Sequence, residues 1–329
     1  MILSIVDSPK EGGRHKRNPG FPLDLDQIAN IRMNRSALER RAATIGARRT
    51  VKKTWQAAWL LRAITLMDLT TLNSNDTPGR VERLCAKALR PLTPDLKAAL
   101  GVTSLAIQPA AVCVYHAFVE TAVRALKGSG IPVAAVSTAF PHGLAPMATK
   151  IGEIEASVKA GAKEIDIVIE RHMVLTGDWQ GLYDQVKAYR KACGEAHLKT
   201  ILGTGELATL TNVAKASMVC MMAGADFIKT STGKEKINAN LPTSLAMIRM
   251  IRAFHERTGI EIGYKPAGGI STTKDALTYM VLMKEELGVH WLQPHLFRFG
   301  ASSLLNDIER QLHHYVTGRY AVDYRMPMA

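Results

Sequence analysis

The sequence predicts a closed (β/α)₈ barrel preceded by a helical extension. Eight short β-like runs alternate with stretches that are mostly long enough for a helix and two loops, a pattern typical of parallel strands. The runs cover residues 64–68, 111–115, 133–138, 164–169, 198–203, 226–231, 261–266 and 296–299. One barrel with an extension also accounts for the chain length of 329 residues.

The composition indicates a large globular core in a protein without membrane contact. Hydrophobic residues make up 47% of the chain and charged residues 22%, as in ordinary globular proteins. No apolar run reaches the roughly 18–20 residues of a membrane-spanning helix, and no secretion signal is recognisable. The four cysteines are widely spaced without a CxxC pair, which favours reduced thiols and a cytoplasmic location.

The charged N-terminal part of the chain is expected to be separate from the barrel. We divide the chain into an arm and helix (1–55), a barrel (56–320) and a C-terminal tail (321–329). Residues 1–22 are interpreted as a mobile arm, whose basic cluster at 14–17 leaves nuclear presence open. Residues 24–62 look helical, and Trp55, Ala58 and Leu61 have the spacing of core contacts on a helix covering the N-terminal end of the barrel.

An internal repeat relates the fourth and sixth predicted strands. The tripeptide Ala-Gly-Ala precedes both strands, at 160–162 and at 223–225, and each glycine would end a helix before the strand. Asp166 and Lys229 stand at the same distance after their glycine. Because alternate strands of a barrel fill the same interior layer, both side chains are expected to point inward at similar height.

Two lysines on neighbouring predicted strands, Lys229 and Lys265, indicate amine chemistry. A lone strand lysine more often pairs with a carboxylate or reaches the surface. Two adjacent ammonium groups disfavour each other's charge, and burial acts in the same direction. At least one amine can then be neutral near pH 7, as attack on a carbonyl requires. Asp166 could relay the protons that a carbinolamine gains and loses as it becomes an imine and then an enamine, or it could only neutralise Lys229 or Lys265 in a salt bridge.

Glycine-rich loops after three consecutive strands predict a phosphate site. Gly233-Lys234 follows the sixth strand, Gly268-Gly269 follows the seventh, and Ser302 and Ser303 follow the eighth and open a helix. Glycines let backbone N–H groups approach an anion, and a helix N-terminus favours negative charge. Plain turns would explain each loop alone, but the combination favours a phosphate. The net charge of +13 suits a phosphorylated substrate and weak nucleic-acid contact equally.

Other candidate groups are fewer. Asp68 and Thr70 end the first strand and could bind a sugar hydroxyl or cap the next helix. Cys113 lies among apolar residues and fits a core thiol better than a nucleophile. No histidine pair beside a strand carboxylate has metal-ligand spacing, and no nucleotide-binding glycine motif is found. We therefore expect neither a metal nor another cofactor.

Seven ordered motifs over residues 55–320 resemble the deoxyribose-phosphate aldolase family. They are LMDLTTL at 66–72, AVCVY at 111–115, EIDIVI at 164–169, TGEL at 204–207, FIKTSTGK at 227–234, GYKPAGGI at 263–270 and FRFGASSL at 297–304. The N-terminal extension and residues 197–222 resemble the longer, animal-type members.

The resemblance implies a class I, metal-free lyase that reversibly cleaves 2-deoxy-D-ribose 5-phosphate to D-glyceraldehyde 3-phosphate and acetaldehyde. It implies Lys229 as the Schiff-base residue, Lys265 as the lysine that perturbs it, and Asp166 as the proton donor and acceptor. The implied phosphate contacts are Gly233, Gly268, Gly269, Ser302 and Ser303. The chain departs from the family at His116 in place of proline, at Tyr264 in place of phenylalanine, and in lacking the terminal tyrosine of short bacterial members.

The expected partner is a small phosphorylated sugar, and a homodimer is compatible with the family. Two alternatives stay open at this point. One is another Schiff-base aldolase acting on a different phosphorylated sugar. The other is a basic nucleic-acid-associated protein with an inactive barrel, although it lacks aromatic residues interleaved with the basic ones. Nucleic-acid binding is not required by any motif above.

Overall fold

Eight parallel strands form a barrel in the computed structural model, which describes residues 17–48, 50–322 and 326. The strands are β1 (Met67–Thr70), β2 (Ala111–Tyr115), β3 (Val133–Ser137), β4 (Glu164–Val168), β5 (His197–Ile201), β6 (Phe227–Lys229), β7 (Gly263–Lys265) and β8 (Phe299–Ala301). Each strand pairs with its sequence neighbour, and β1 also pairs with β8. Single bridges from Tyr264 to Phe297 and from Ala267 to Gly300 join β7 to the β8 segment, so the predicted barrel is confirmed.

Helices alternate with the strands and cover the outside of the barrel. They are α1 (Leu25–Asn30), α2 (Arg35–Arg48), α3 (Lys53–Thr65), α4 (Pro78–Leu89), α5 (Pro94–Ala99), α6 (Val119–Ala125), α7 (Met147–Lys159), α8 (Arg171–Thr176), α9 (Trp179–Cys193), α10 (Leu210–Met222), α11 (Leu241–Thr258), α12 (Thr273–Leu287) and α13 (Leu304–Thr317). None of these described helices combines the length and hydropathy that a membrane span needs.

Local sequence signals fix many helix ends. The side chains of Thr77, Thr209 and Thr272 accept N–H hydrogen bonds from the first turns of α4, α10 and α12, which satisfies donors that the helix leaves free. The two glycines of the Ala-Gly-Ala repeat, Gly161 and Gly224, have matching φ angles of +104° and +103°. Each follows the last turn of its helix in the left-handed region, as the repeat predicted.

The predicted bounds of the first and last strands are wrong. Residues 64 and 65 complete α3, and β1 begins only at Met67. Leu296 and Phe297 precede β8, which runs over Phe299–Ala301 instead of 296–299. In both places a short apolar run continues across the boundary, and hydrophobicity alone does not separate a buried helix turn from a buried strand.

The expected mobile arm is wrong for the part that the structure describes, residues 17–22. Asn18 is only 3% exposed. Its backbone N–H donates to Asp226 Oδ1 (2.8 Å), and its Nδ2 donates to the carbonyl oxygens of Met221 (2.7 Å) and Ala225 (2.8 Å). These bonds hold the segment against the end of α10 and the start of β6. Residues 1–16, with most of the basic cluster, lie outside the described residues.

The helical extension at 24–62 is three helices, α1 to α3, rather than one. Ala58 and Leu61 of α3 are buried as expected, whereas Trp55 is 51% exposed, so its assignment to the core is wrong. Helix α3 packs against α12 and α13. The proposed domain boundary after residue 55 falls within this helix. Of the expected tail, only residues 321, 322 and 326 are described.

Tyr264 departs from the family pattern and has its own buried partner. Its hydroxyl donates to Ser244 Oγ on α11 at 2.5 Å, and its ring stacks on Phe297 at 6.2 Å between centroids. We expect Tyr264→Phe to lower the free energy of unfolding by about 1 kcal/mol, because a buried acceptor loses its donor. Urea denaturation measures the loss. The Ser244 hydroxyl also donates to the Asn240 carbonyl oxygen at 2.6 Å, so Ser244→Ala is destabilising by itself. The loss in the double variant should be smaller than the sum of the two single losses; additive losses would contradict this account.

Candidate active site

A layer of charged side chains fills the interior of the barrel. All are nearly or fully buried, with exposures of 5% or less. The layer consists of three carboxylates and four cationic groups: Asp68, Glu164 and Asp166, with Lys199, Lys229, Lys265 and Arg298. Buried charges are tolerated only when they are paired, and each of these groups has an opposite charge within 3.0 Å.

Strand register places these side chains together. Asp166 on β4 is level with Lys199 on β5, and Lys229 on β6 is level with Lys265 on β7. Since successive strand residues point to opposite faces, their neighbours Ile165, Ile228 and Tyr264 pack outside the barrel with the helices. The predicted inward direction of Asp166 and Lys229 is therefore confirmed.

Lys229 and Lys265 share one oxygen atom. The Nζ of each lies 2.8 Å from Oδ2 of Asp166. A proton on either amine therefore has a direct path to the other through this oxygen, without a bridging water. These distances show that Asp166 neutralises the two ammonium groups, and they are short enough for proton transfer, which stays a prediction.

The sequence analysis did not identify three members of the layer, which are Lys199, Glu164 and Arg298. Lys199 lies 2.9 Å from Asp68 Oδ2 and 3.0 Å from Asp166 Oδ1. Arg298 donates to Glu164 Oε1 at 2.8 Å and also to Asp68. The signal that singled out Lys229, a lysine inside an apolar strand, was present at Lys199 as well. Arg298 is flanked by phenylalanines in the same way.

The layer has one more cationic group than carboxylates, and Lys229 is the lysine whose positive charge is stabilised least. Burial lowers the pKa of Lys229, the charge of Lys265 lowers it further, and Asp166 only partly opposes them. For Lys265 and Lys199, burial also disfavours the charge, but the surrounding carboxylates outweigh it and the pKa of each is raised. Lys229 is therefore the amine that gives up its proton most readily, for the two reasons that the lysine pair suggested.

Asp166 and Asp68 stay ionised in this environment. Burial would raise the pKa of each carboxyl, but the nearby ammonium and guanidinium groups lower both, Asp68 well below its ordinary value. The cations that do so are Lys199, Lys229 and Lys265 for Asp166, and Arg298, Lys199 and Lys265 for Asp68. Asp166 can therefore accept a proton readily only when a neighbouring amine has lost its charge.

Asp68 lies in the charged layer and not in the cavity wall. Its carboxylate is 0% exposed and bonded to Lys199, Lys265 and Arg298, so it does not cap a helix; its contact with a sugar hydroxyl stays a prediction. Thr70, two residues on, does line the cavity described next, and its hydroxyl donates to the Asp68 carbonyl oxygen at 2.8 Å. The end of β1 therefore contributes Asp68 to the charged layer and Thr70 to the cavity wall.

A cavity of about 530 Å³ opens above the charged layer and reaches Lys229. Its wall comes from the loops that follow β1, β6, β7 and β8. The predicted phosphate residues all lie in this wall: Gly233, Lys234, Gly268, Gly269, Ser302 and Ser303. The three loops singled out in the sequence are thus brought to one side of one cavity.

The loops differ in the N–H groups that they can offer to an anion. Within the described chain, the backbone N–H groups of Gly268, Gly269, Ser302 and Ser303 have no hydrogen-bond acceptor. The Gly233 N–H instead donates to Glu235 Oε2 at 3.1 Å. The expected backbone contact from Gly233 is therefore already occupied. The loops after β7 and β8 retain the free donors, and Lys234 adds a side-chain ammonium.

An apolar cluster forms another part of the barrel interior, on the side of β2 and β3. Cys113 and Val136 belong to it, with the rings of Tyr115 and Phe140 packed edge to face at 5.8 Å between centroids. Burial raises the pKa of the Cys113 thiol, in agreement with a core thiol. His116, the residue found in place of proline, has its Nδ1 3.0 Å from Ser157 Oγ.

Comparisons with known proteins identify the family of this chain. The sequence model of the DeoC/LacD family aldolases matches residues 62–310. The chain belongs to the DeoC/LacD family of aldolases. It is 58% identical to the human deoxyribose-phosphate aldolase over 314 residues, covering 95% of this chain and 99% of the human protein. It is also 58% identical to the mouse deoxyribose-phosphate aldolase over 312 residues, covering 94% and 98% of the two chains.

Solved structures support the fold of this aldolase. A Toxoplasma gondii protein, at 22% identity, superimposes with a TM-score of 0.69 and covers 83% of this chain and 100% of its own. The deoxyribose phosphate aldolase of Aeropyrum pernix, at 20% identity, gives a TM-score of 0.58 and covers 83% and 97%. At these identities the likeness concerns the barrel alone. Among the described residues of this aldolase, no group of metal-ligating side chains is found.

Proposed function

We propose that this aldolase cleaves 2-deoxy-D-ribose 5-phosphate reversibly to D-glyceraldehyde 3-phosphate and acetaldehyde, with Lys229 as the residue that forms the Schiff base. The observation that carries the proposal is the shared contact of Lys229 and Lys265 with Asp166 Oδ2, at the floor of a cavity lined by free N–H donors. An amine of lowered pKa at one end and an anion site at the other match the two ends of a phosphorylated aldehyde sugar.

In the first stage the neutral amine of Lys229 attacks the aldehyde carbon C1 of the open-chain sugar. The carbinolamine takes up a proton on its oxygen and loses water, which leaves an iminium ion. Asp166 Oδ2 can supply or accept these protons, with Lys265 as the second donor on the same oxygen. The positive iminium nitrogen is held next to the Asp166 carboxylate.

In the second stage the C2–C3 bond breaks. The C3 hydroxyl loses its proton and becomes the carbonyl of glyceraldehyde 3-phosphate, and the bonding electron pair moves to C2 to form an enamine. Protonation at C2, with Asp166 and Lys265 as the proton carriers next to Lys229, restores an iminium ion. Water hydrolyses this ion to acetaldehyde and free Lys229. The iminium group accepts the electron pair of the broken bond and becomes the enamine, so the side chains of the site need only move protons.

Borohydride trapping followed by peptide mapping tests the proposal. Reduction in the presence of deoxyribose phosphate should add the substrate-derived mass to the peptide carrying Lys229. A label on the Lys265 peptide would reverse the assignment of the two lysines. Turnover of a different phosphorylated sugar in preference to deoxyribose phosphate would favour the other Schiff-base aldolase reading. Salt-dependent nucleic-acid binding without turnover would favour the nucleic-acid reading.

The phosphate end of the site is tested by Lys234→Ala. We expect the KM for deoxyribose phosphate to rise about tenfold or more, because one charge-assisted contact to the phosphate is lost. The KM for unphosphorylated deoxyribose should not change. Lys236 on the same loop is exposed and outside the cavity wall, so Lys236→Ala is the matched control. Equal effects of the two substitutions would point to general charge rather than a phosphate contact.

A cytoplasmic location and a homodimer complete the proposal. The absence of an apolar span from the described helices is compatible with the first. Cell fractionation tests the location, and light scattering of the purified protein measures its mass against the 35.9 kDa of one chain.

A further inference from the structure

One guanidinium group, that of Arg171, joins the loops after four consecutive strands. Arg171 begins α8 just after β4, and its side chain is 11% exposed. Its Nη atoms donate to the carbonyl oxygens of Pro141 (3.2 Å) and His142 (3.3 Å) in the loop after β3. The same group contacts Glu206 after β5 and Glu235 after β6, each at 3.0 Å.

Glu235 links Arg171 to the cavity wall through hydrogen bonds to the loop after β6. Its side chain is 3% exposed, so it lies beneath the loop rather than in the cavity. It accepts the backbone N–H groups of Thr232 (3.0 Å) and Gly233 (3.1 Å), together with the Thr232 hydroxyl (2.6 Å). Thr232, Gly233 and Lys234 all line the cavity. The carboxylate therefore fixes the backbone from which Lys234 extends.

Two glycines keep room for this connection. A Cβ at Gly203 would collide with the guanidinium of Arg171, and a Cβ at Gly205 would collide with the backbone of Ile237 in the loop after β6. Gly203 also has a φ of +66°, in the left-handed region. The loops after β5 and β6 are thus packed closely around the buried ion pair of Arg171 and Glu235. An exposed salt bridge, which contributes little to stability, would not require such close packing.

We propose that Arg171 is a positioning residue for the phosphate end of the substrate, acting through Glu235 on the loop of Thr232, Gly233 and Lys234. This inference rests on the aldolase function proposed above. Arg171 does not line the cavity that the structure describes, so its effect is on the placement of the loop. A residue of this kind changes the recognition of phosphorylated substrates and leaves the reaction at Lys229 intact.

The experiment compares substrates with and without the phosphate in the Arg171→Leu variant. The KM for deoxyribose phosphate should rise about tenfold or more, since a buried charge-assisted contact is lost. The KM for unphosphorylated deoxyribose and the rate of borohydride trapping with acetaldehyde should stay within about twofold. Binding of inorganic phosphate, measured by calorimetry, should weaken in the same proportion as the KM.

Two further variants keep the test sharp if Arg171→Leu folds poorly. Glu235→Gln keeps the size of the side chain but weakens both ion pairing and loop bonding, so it should show the same substrate dependence. Glu206 is the other carboxylate on Arg171, is 51% exposed, and has no described hydrogen bond to the cavity loop; Glu206→Gln should behave as wild type.

Equal losses with both substrates, or unchanged phosphate binding in Arg171→Leu and Glu235→Gln, would overturn the inference. Failure of the aldolase proposal would look different. The wild-type protein would then not turn over deoxyribose phosphate, whereas the calorimetric comparison of phosphate binding would still give its own result.

Discussion

Lys229→Ala should abolish turnover of deoxyribose phosphate, with a loss on the order of 10⁴-fold or more in kcat, because the covalent intermediate no longer forms. Borohydride with substrate should leave the variant unlabelled. The fold should persist, since the substitution removes the one cation that exceeds the carboxylates of the charged layer, and alanine introduces no new buried charge.

Lys265→Ala is the matched comparison, because Lys265 has the same partner at the same 2.8 Å distance. The Lys265→Ala variant should still be labelled on Lys229, but the labelling rate should rise at a higher pH than in wild type. Lys265 contributes to lowering the pKa of Lys229, so its removal raises that pKa and less neutral amine is present at a given pH. Labelling of Lys229→Ala at Lys265, with retained turnover, would exchange the two roles.

Asp166→Asn should slow the proton transfers at C2 by about 10²–10⁴-fold. The imine should still form, because Lys265 remains as the second proton donor at the carbinolamine. Exchange of the acetaldehyde methyl protons with deuterated water, followed by NMR, measures the proton-transfer step directly, and borohydride trapping measures imine formation. We expect a large loss in the first and a much smaller loss in the second. Methyl-proton exchange at the wild-type rate would rule out Asp166 as the relay.

The same variant has a predictable pH dependence. Asp166 raises the pKa of Lys229 against the effects of burial and Lys265. Its removal should therefore lower that pKa further, so that the trapping rate reaches its plateau at a lower pH than in wild type. Stability should fall by about 3–5 kcal/mol, because Lys199, Lys229 and Lys265 lose a shared buried partner. Glu39→Gln, which breaks an exposed i,i+4 pair on α2, is a control for charge removal.

Much of the fold followed from periodicity, which is a local property. The alternation of strand and helix, the helix ends at Gly161 and Gly224, and the inward direction of Asp166 and Lys229 all depend on residues close in sequence. The errors lie where local patterns are ambiguous. The apolar run across the end of α3 gave no sign of where β1 begins. The glycine-rich N-terminal segment predicts a mobile arm, although Asn18 is bonded to Asp226, more than 200 residues away.

The sequence by itself determined the barrel, the lysine pair with its carboxylate, and the three loops that line one cavity and are predicted to bind a phosphate. Only the tertiary structure decided the rest of the charged layer, in which Lys199, Glu164 and Arg298 come from three different strand segments. It also placed the Asp68 carboxylate among the cations of this layer, and it showed that the Gly233 N–H donates to Glu235. The physical reason is that ion pairing depends on distance in space. Strand register and barrel closure set those distances, and neither is encoded in the residues flanking any one charge.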